Sequence, residues 1–471
     1  MRNPRTSSFL LPLLLSSLVG ACGDGRPGKG IDDAIGEGSG GTAGYPGAAG
    51  AGNQAGSHVG LGELALADCE PLDESHYRAD AQGLFDYPHV PTFDFFLPDD
   101  VWQHLQDTAR DEQYAEAQLC FDGKLVGTVG LRFKGYYGSL FGCFDDQGEL
   151  TCPRLSMKVK FDKYIDDQRF FGLKRLNFNA YYHDDSRIKE KLSYDLYRAM
   201  GIVAPRSAWA VLRVNGESKG VYGMVEQVDG RFTADRWSDN PDGNLYKEVW
   251  PTLEDADGVL EGLKTNEDVA DVSAYVAFSQ ALDAADDDEF RSVLGEYMDP
   301  DYLARYFAVD DAIASYDGIS YFWTDGVYKD NHNFYIYEEE PNSFILIPWD
   351  IDSSFWINPE HAAPHWTEIP DDCSDTYPYW DGLGAAPACD RFIWAMAQDL
   401  EPWREAAREL LDGPFAEEAM VENIDRHAAF IRDEIRKDST PYTYATHEEA
   451  VAWLRSSIPA LRARLEALIE E

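Results

Sequence analysis

Asn333, Asp350 and Asp352 are the residues of this 471-residue chain whose types and spacing best suit chemistry. They lie in the run Lys329–Trp356, where Asn333–Tyr337 and Phe344–Ile347 read as strands joined by the acidic turn Glu338–Ser343. Carboxylates two apart on an extended chain project from one face, so Asp350 and Asp352 are expected to point the same way. With Asn333 one hairpin away they form an oxygen-rich set for Mg²⁺ or Mn²⁺, whose shell waters and phosphates would complete. The same spacing describes a solvated acidic turn, because Asp and Asn are ordinary turn formers.

Other polar residues precede this hairpin in an order that suits phosphoryl transfer. Ser156–Phe161 alternates with period two and puts Lys158 and Lys160 on one face of a strand; which of them enters a cleft is open. Asp184-Asp185-Ser186 provides an N-cap for a helix carrying Glu190, with apolar Ile188, Leu192 and Leu196, stopped by Gly201 and Pro205. Ala208–Val214, an Asn215-Gly216 turn and Gly220–Gln227 form a hairpin that ends near Glu226. Asp317 precedes Gly318 in a loop. In phosphoryl transfer a strand lysine can hold the α- and β-phosphates while a helix glutamate fixes that lysine. An aspartate can accept the hydroxyl proton, and Asn with Asp can hold Mg²⁺. Each also has a plainer role: a wet strand face, a solvated helix ion pair, an ordinary turn. His332 reads as a structural hydrogen-bonding group. Gly135 and Gly138 would let backbone N–H groups approach a phosphate.

The composition narrows the setting. Forty basic against 85 acidic residues give a formal charge of −45, a surface that repels nucleic acid and anionic membranes. Arg2 and Arg5 precede an apolar stretch, Phe9–Val19, too short to span a bilayer. It leads to Val19-Gly20-Ala21-Cys22, which resembles a bacterial lipobox with Cys22 as the lipidated residue. The expectation is an exported cell-envelope lipoprotein at the outer membrane or cell surface, touching membrane only through that anchor. The other six cysteines, an even number in an exported protein, imply disulfides. Proximity pairs Cys143 with Cys152 and Cys373 with Cys389, leaving Cys69 with Cys120.

Segments 1–22 (signal peptide and lipobox) and 23–65 (a Gly/Ala-rich tether) would precede two lobes, 66–247 and 248–471. Strands are expected at Asp94–Leu97 and Leu125–Phe133 around a helix near Val101–Gln118, and another strand at Gly243–Lys247. Beyond about residue 255 the pattern is helical: Val272–Ala285, Pro300–Ser315, Pro402–Leu411, Ala416–Ile435, and a last helix opening at Thr446 with a kink at Pro459.

In order, these pieces resemble the CotH kinase family of atypical secreted or surface kinases, although the usual HRD and DFG strings of protein kinases are absent. The resemblance rests on GLRFKGYYGSL (130–140), SMKVKFDKY (156–164), the long run from FGLKRLNFNAYYHDDSRIKEKLSYDLYRAMG to GVYGMVEQVDGRF (171–232), GNLYK (243–247), DGISYFWTDGVYKDNHNFYIY (317–337) and FILIPWDIDSSF (344–355). It covers roughly 95–470. It implies an α+β, protein-kinase-like two-lobed fold that transfers phosphate from ATP to protein hydroxyls with a divalent metal. Carried over, Lys158 is the ATP-phosphate lysine, Glu190 its helix partner and Asp317 the catalytic-loop acid. Asn333 and Asp350 become metal ligands, with Asp352 next in rank, and Glu226 lies near the hinge that receives adenine. The Asp317–Asn333 loop is longer than the family pattern, leaving Asp325 and Asp330 as rival acids. His361–Cys389, with Trp366 and Trp380, reads as an insertion that shapes a substrate groove or braces the lobe. Two other activities suit the same scaffold: a non-catalytic surface, coat or adhesion protein, and transfer of AMP to protein.

Overall fold

Alternating strand-forming segments dominate the first half of the computed structural model, which describes residues 69–470 apart from 73–79, 136–139, 146, 149, 183, 253–254, 326–328, 358–362, 380–381 and 439–443. The lipobox, the tether, Gly138, His361 and Trp380 lie outside the described residues. Eight strands form one sheet: β1 (Glu70–Pro71), β2 (Thr92–Phe96), β3 (Ala115–Phe121), β4 (Lys124–Phe133), β5 (Met157–Lys160), β6 (Arg175–Asn179), β7 (Ser207–Val214) and β8 (Glu217–Glu226). Their order is β1-β4-β3-β2-β7-β8-β6-β5, and β4 also pairs with β5. That last pairing closes seven strands into a barrel, with β1 alongside β4. Phe93, Phe95, Leu119, Leu131, Val159 and Phe178 fill it, the inward members of each alternation. The expected two-lobed layout is therefore met only as far as a mixed α+β fold. The β-rich part is a barrel, a closure that leaves no free edge on these strands.

Two further expectations change. The helix expected over Val101–Gln118 spans only Asp99–Asp107, and Ala115–Phe121 is strand β3. An Asp122-Gly123 turn with φ of 47° and 74° folds β4 back onto β3, so long-range pairing overrides a locally helical pattern. Leu245–Lys247 (β9), assigned to the first lobe, pairs instead with the later hairpin of β12 (Phe334–Glu340) and β13 (Ser343–Pro348). Between them in sequence, β10 (Phe322–Thr324) and β11 (Lys329–Asp330) join β14 (Thr376–Tyr379) and β15 (Gly382–Ala385) in a second small sheet.

A second core lies outside the barrel. On β8, Tyr222 and Met224 face the barrel interior while Val221 and Val225 face this outer core. They share that core with buried residues of the helices Lys189–Ala199, Ser273–Ala284, Pro300–Ala312, Glu401–Asp412, Glu417–Lys437 and Tyr444–Glu470, the last continuous through Pro459. The Lys189–Ala199 helix is anchored on all sides. The Asp184 carboxylate accepts the Lys189 N–H (2.9 Å), Ser193 Oγ meets Ser354 Oγ (3.0 Å), Tyr197 donates to Asp310 (2.9 Å) and Asp195 meets His427 (3.1 Å). The disulfides are Cys69–Cys120, Cys143–Cys152 and Cys373–Cys389. Trp366, from the inserted segment, is buried; its indole donates to Asp311 (3.0 Å) and packs on Phe307 and Trp403, so this part of the segment braces the helices.

Candidate functional site

The β12–β13 hairpin delivers Asn333 and Asp350 from its two ends. Both leave the ladder with positive φ, 64° and 50°, a conformation Asn and Asp tolerate better than most residues. The strand ends at Pro348, so Asp350 and Asp352 stand in a turn and the same-face expectation for an extended chain does not apply. Their charges still act on each other: burial and then the Asp350 charge, with Asp184 and Asp317 behind it, push the Asp352 carboxyl up to about 8. The Asn333 side-chain amide donates to the Asp317 carboxylate (2.9 Å) and to its backbone carbonyl (2.8 Å). Burial raises Asp317 to about 6, against the lowering effect of His332 and Trp323. The rival acids Asp325 and Asp330 are exposed, on or beside the β10–β11 pair.

Glu190 approaches from the Lys189–Ala199 helix. Tyr194, one turn further on, accepts the Asp350 N–H at its hydroxyl (3.2 Å), which fixes this helix face against the Asp350 turn. Burial, then Asp352 and Asp350, hold the Glu190 carboxyl well above its usual range, with Lys134 opposing. The lysine of this relay is thus Lys134, which the sequence reasoning missed. Its ammonium donates to Asn179 Oδ1 (2.9 Å), and Asn179 Nδ2 donates to Glu190 Oε1 (2.8 Å). Lys134 also lies 5.6 Å from the Trp349 ring, next to Asp350. The signal was present: Lys134 directly precedes Gly135, whose φ of 123° is open only to glycine. Lys158 is 1% exposed on the barrel row Arg132–Lys158–Asn177, the same outer face that carries Asn179. Lys160 shares that face and is less buried.

Glu226 stands at the end of β8. It pairs with Leu176 and is fully buried, and both carboxylate oxygens are engaged by Arg206 and Arg236. Burial favours its neutral form, but Arg236 and Arg206 together hold it below its ordinary value. Its carboxylate is a closed ion-pair centre. Gln227 is the neighbour linked to the lysine-bearing face, accepting from Asn177 (3.2 Å) and donating to the Val228 carbonyl (3.0 Å).

These residues fit a hard divalent cation. Glu190 Oε2 is buried without a hydrogen-bond partner, and the Asp352 and Asp350 charges raise the Glu190 carboxyl against the opposing Lys134. Among the described residues, no three His, Cys, Asp or Glu side chains form a ready-made cage. That suits Mg²⁺ or Mn²⁺, which are commonly held by one or two carboxylates plus phosphate oxygens and water. Held there by Asp350, Asp352 and Asn333, such an ion would supply positive charge against phosphate.

Sequence kinship places the chain in a family. Residues 131–463 match the family described as CotH kinase protein, and the chain belongs to that family. It is 25% identical over 225 residues to the inner spore coat protein H of Bacillus subtilis, covering 44% of this chain and 57% of that protein. It is likewise 25% identical over 205 residues to invasin CotH7 of Rhizopus delemar, covering 42% of this chain and 32% of the invasin. The chain thus spans between a third and three-fifths of these relatives. A solved structure, the Helicobacter pylori proinflammatory kinase CtkA, aligns over 62% of this chain and 91% of its own at 9% identity, with a TM-score of 0.24, too low to define a shared fold.

Proposed function

We propose that this protein is an exported atypical kinase that transfers phosphate from ATP to protein hydroxyls with Mg²⁺ or Mn²⁺. The observation that carries this is the bond of Asn333 to Asp317 at the hairpin that presents Asp350, with Asp352 and Glu190 within reach of the Asp350 charge and Lys134 linked to Glu190 through Asn179. In this account Lys158 and Lys134 hold the ATP phosphates, and the Gly135 backbone lets them approach closely. Asp350, Asp352 and Asn333 hold the metal. Asp317 takes the acceptor proton, a task favoured by a carboxyl raised to about 6. Glu226 would support the adenine-facing end through its arginine pairs. Cys22 would carry the lipid that tethers the enzyme to the envelope.

The test is ATP with Mg²⁺ and candidate envelope proteins, followed by intact-mass analysis. Added phosphate supports the reading, added nucleotide redirects it to AMP transfer, and no addition to any protein, this chain included, contradicts both. A second reading, a non-catalytic surface or adhesion protein, draws on the invasin and spore-coat names of the relatives. It predicts that Asp350→Asn keeps full partner binding and cellular effect, whereas a kinase would lose its cellular effect.

A further inference from the structure

We propose that Asp310 is the positioning residue for Asp317: its buried carboxylate seats the loop that carries Asp317 and ties that loop to the helix that carries Glu190. This deepens the proposed function and rests on it for the role of Asp317 as proton acceptor. Asp310 stands in the last turn of the Pro300–Ala312 helix and is 3% exposed. Its carboxylate is spent on hydroxyl groups from two elements. Tyr197, on the Lys189–Ala199 helix, donates to Oδ1 (2.9 Å). From the loop, Ser320 donates to Oδ2 (2.9 Å) and the Ser315 hydroxyl bonds the same group. The Ser315 N–H also donates to the Asp310 carbonyl (3.1 Å), so the loop is held on both sides of Asp317. Gly318, next to Asp317, closes on the carboxylate as well. A Cβ there would stand 2.9 Å from Asp310 Oδ1 and 3.0 Å from Ser315 Oγ. Burial lifts the Asp310 carboxyl to about 7, and the three hydroxyls oppose that rise. An amide would fill the same space with less desolvation, but only a carboxylate accepts all three hydroxyls with no donor of its own. On the other side, Glu190, Tyr194 and Tyr197 lie at i, i+4 and i+7 along one helix face. Tyr194 receives the Asp350 N–H, so that face touches the Asp350 turn directly and the Asp317 loop through Asp310. Asn333 holds the Asp317 carboxylate from the hairpin (2.9 Å), and Asp310 holds the backbone around it.

Two measurements on the full chain separate this role from general support of the fold. Hydrogen exchange of segment 313–321, read by mass spectrometry without nucleotide, reports the loop itself. Asp310→Ala should speed exchange there about tenfold or more while the barrel strands keep wild-type protection. Phosphate transfer from ATP with Mg²⁺, to the acceptor found by intact mass, reports the chemistry. In Asp310→Ala, kcat should fall about tenfold or more with KM for ATP unchanged, because the proposed ATP lysines lie on the barrel. Asp310→Asn keeps the shape and one acceptor oxygen, and should recover part of both losses. Gly318→Ala presses a methyl on the carboxylate and should also lower kcat. Combined with Asp310→Ala it should cost nothing further, since the group it strikes is gone. Circular dichroism and the melting temperature check folding, and Gly318→Ala with Asp310→Asn carry the test if Asp310→Ala is unstable. Wild-type exchange of 313–321 in the folded variants overturns the inference, as does loosened exchange with unchanged kcat or a fully additive double variant. If the wild type transfers no phosphate, the kinase reading falls and the exchange result alone decides whether Asp310 seats the loop.

Discussion

Asp352 carries the clearest pH signature at the scale of single residues. Its carboxyl rises from 3.8 to about 8 through burial and the nearby Asp350, Asp184 and Asp317 charges. Between those values the folded protein keeps a proton that the unfolded chain has lost, so stability drains away as pH rises and levels off above about 8. On the proposed metal reading, a divalent ion would replace that proton. Mg²⁺ or Mn²⁺ should therefore raise the melting temperature strongly near pH 9 and little near pH 5; a shift independent of pH would contradict this electrostatic account. Asp350→Asn should abolish metal-dependent phosphate transfer while moving the melting temperature little, checked by transfer assay and calorimetry on one sample. The sequence revealed the residue types here but not their partners. Asn333 and Asp317 could be named from the motif. Lys134 and Asn179 could not be joined to Glu190 without the barrel, because they are distant in sequence and meet only across strands. Glu226 looked available until Arg206 and Arg236 closed on it.

The Lys189–Ala199 helix shows how elements hold the site. Just before it, Arg187 bonds Asp438 (2.7 Å), and Arg154 meets the same carboxylate (3.4 Å), all three side chains at most 4% exposed. Asp438 follows the Glu417–Lys437 helix, so this centre ties the C-terminal helices to the approach of Glu190. Asp438→Ala leaves two buried guanidinium groups without their shared carboxylate and should cost about 3–5 kcal/mol in urea unfolding. A loss below about 1 kcal/mol would show that the pair is not structural. Hairpins with turn signatures, such as Asn215-Gly216 and the β12–β13 pair, were legible because local chemistry sets them. β3 was not: Ala115–Phe121 alternates weakly after a helix, and only its partner β4 makes it a strand. The partner of β9 was hidden for the same reason, since pairing with Tyr335–Tyr337 is invisible from residues 245–247 alone.

At the scale of the whole molecule, three disulfides fit an oxidising compartment, and no helix among the described residues is long and apolar enough to cross a membrane. Two pairings were suggested by proximity and the third was what remained, whereas barrel closure was not legible, since the β4–β5 pairing that seals it leaves no local mark. Reduction should destabilise the protein by about 2–5 kcal/mol, chiefly through Cys69–Cys120, whose 51-residue separation constrains the unfolded chain most. Equal denaturation midpoints with and without reductant would contradict this. On the proposed reading, the barrel and the helices meet at a metal-dependent nucleotide site. Calorimetric titration of ATP into the wild type and Asp350→Asn, with and without Mg²⁺, tests it most directly. The prediction is ATP binding by the wild type that requires Mg²⁺ and is lost in Asp350→Asn; binding by neither protein, or equal binding by both, would contradict it.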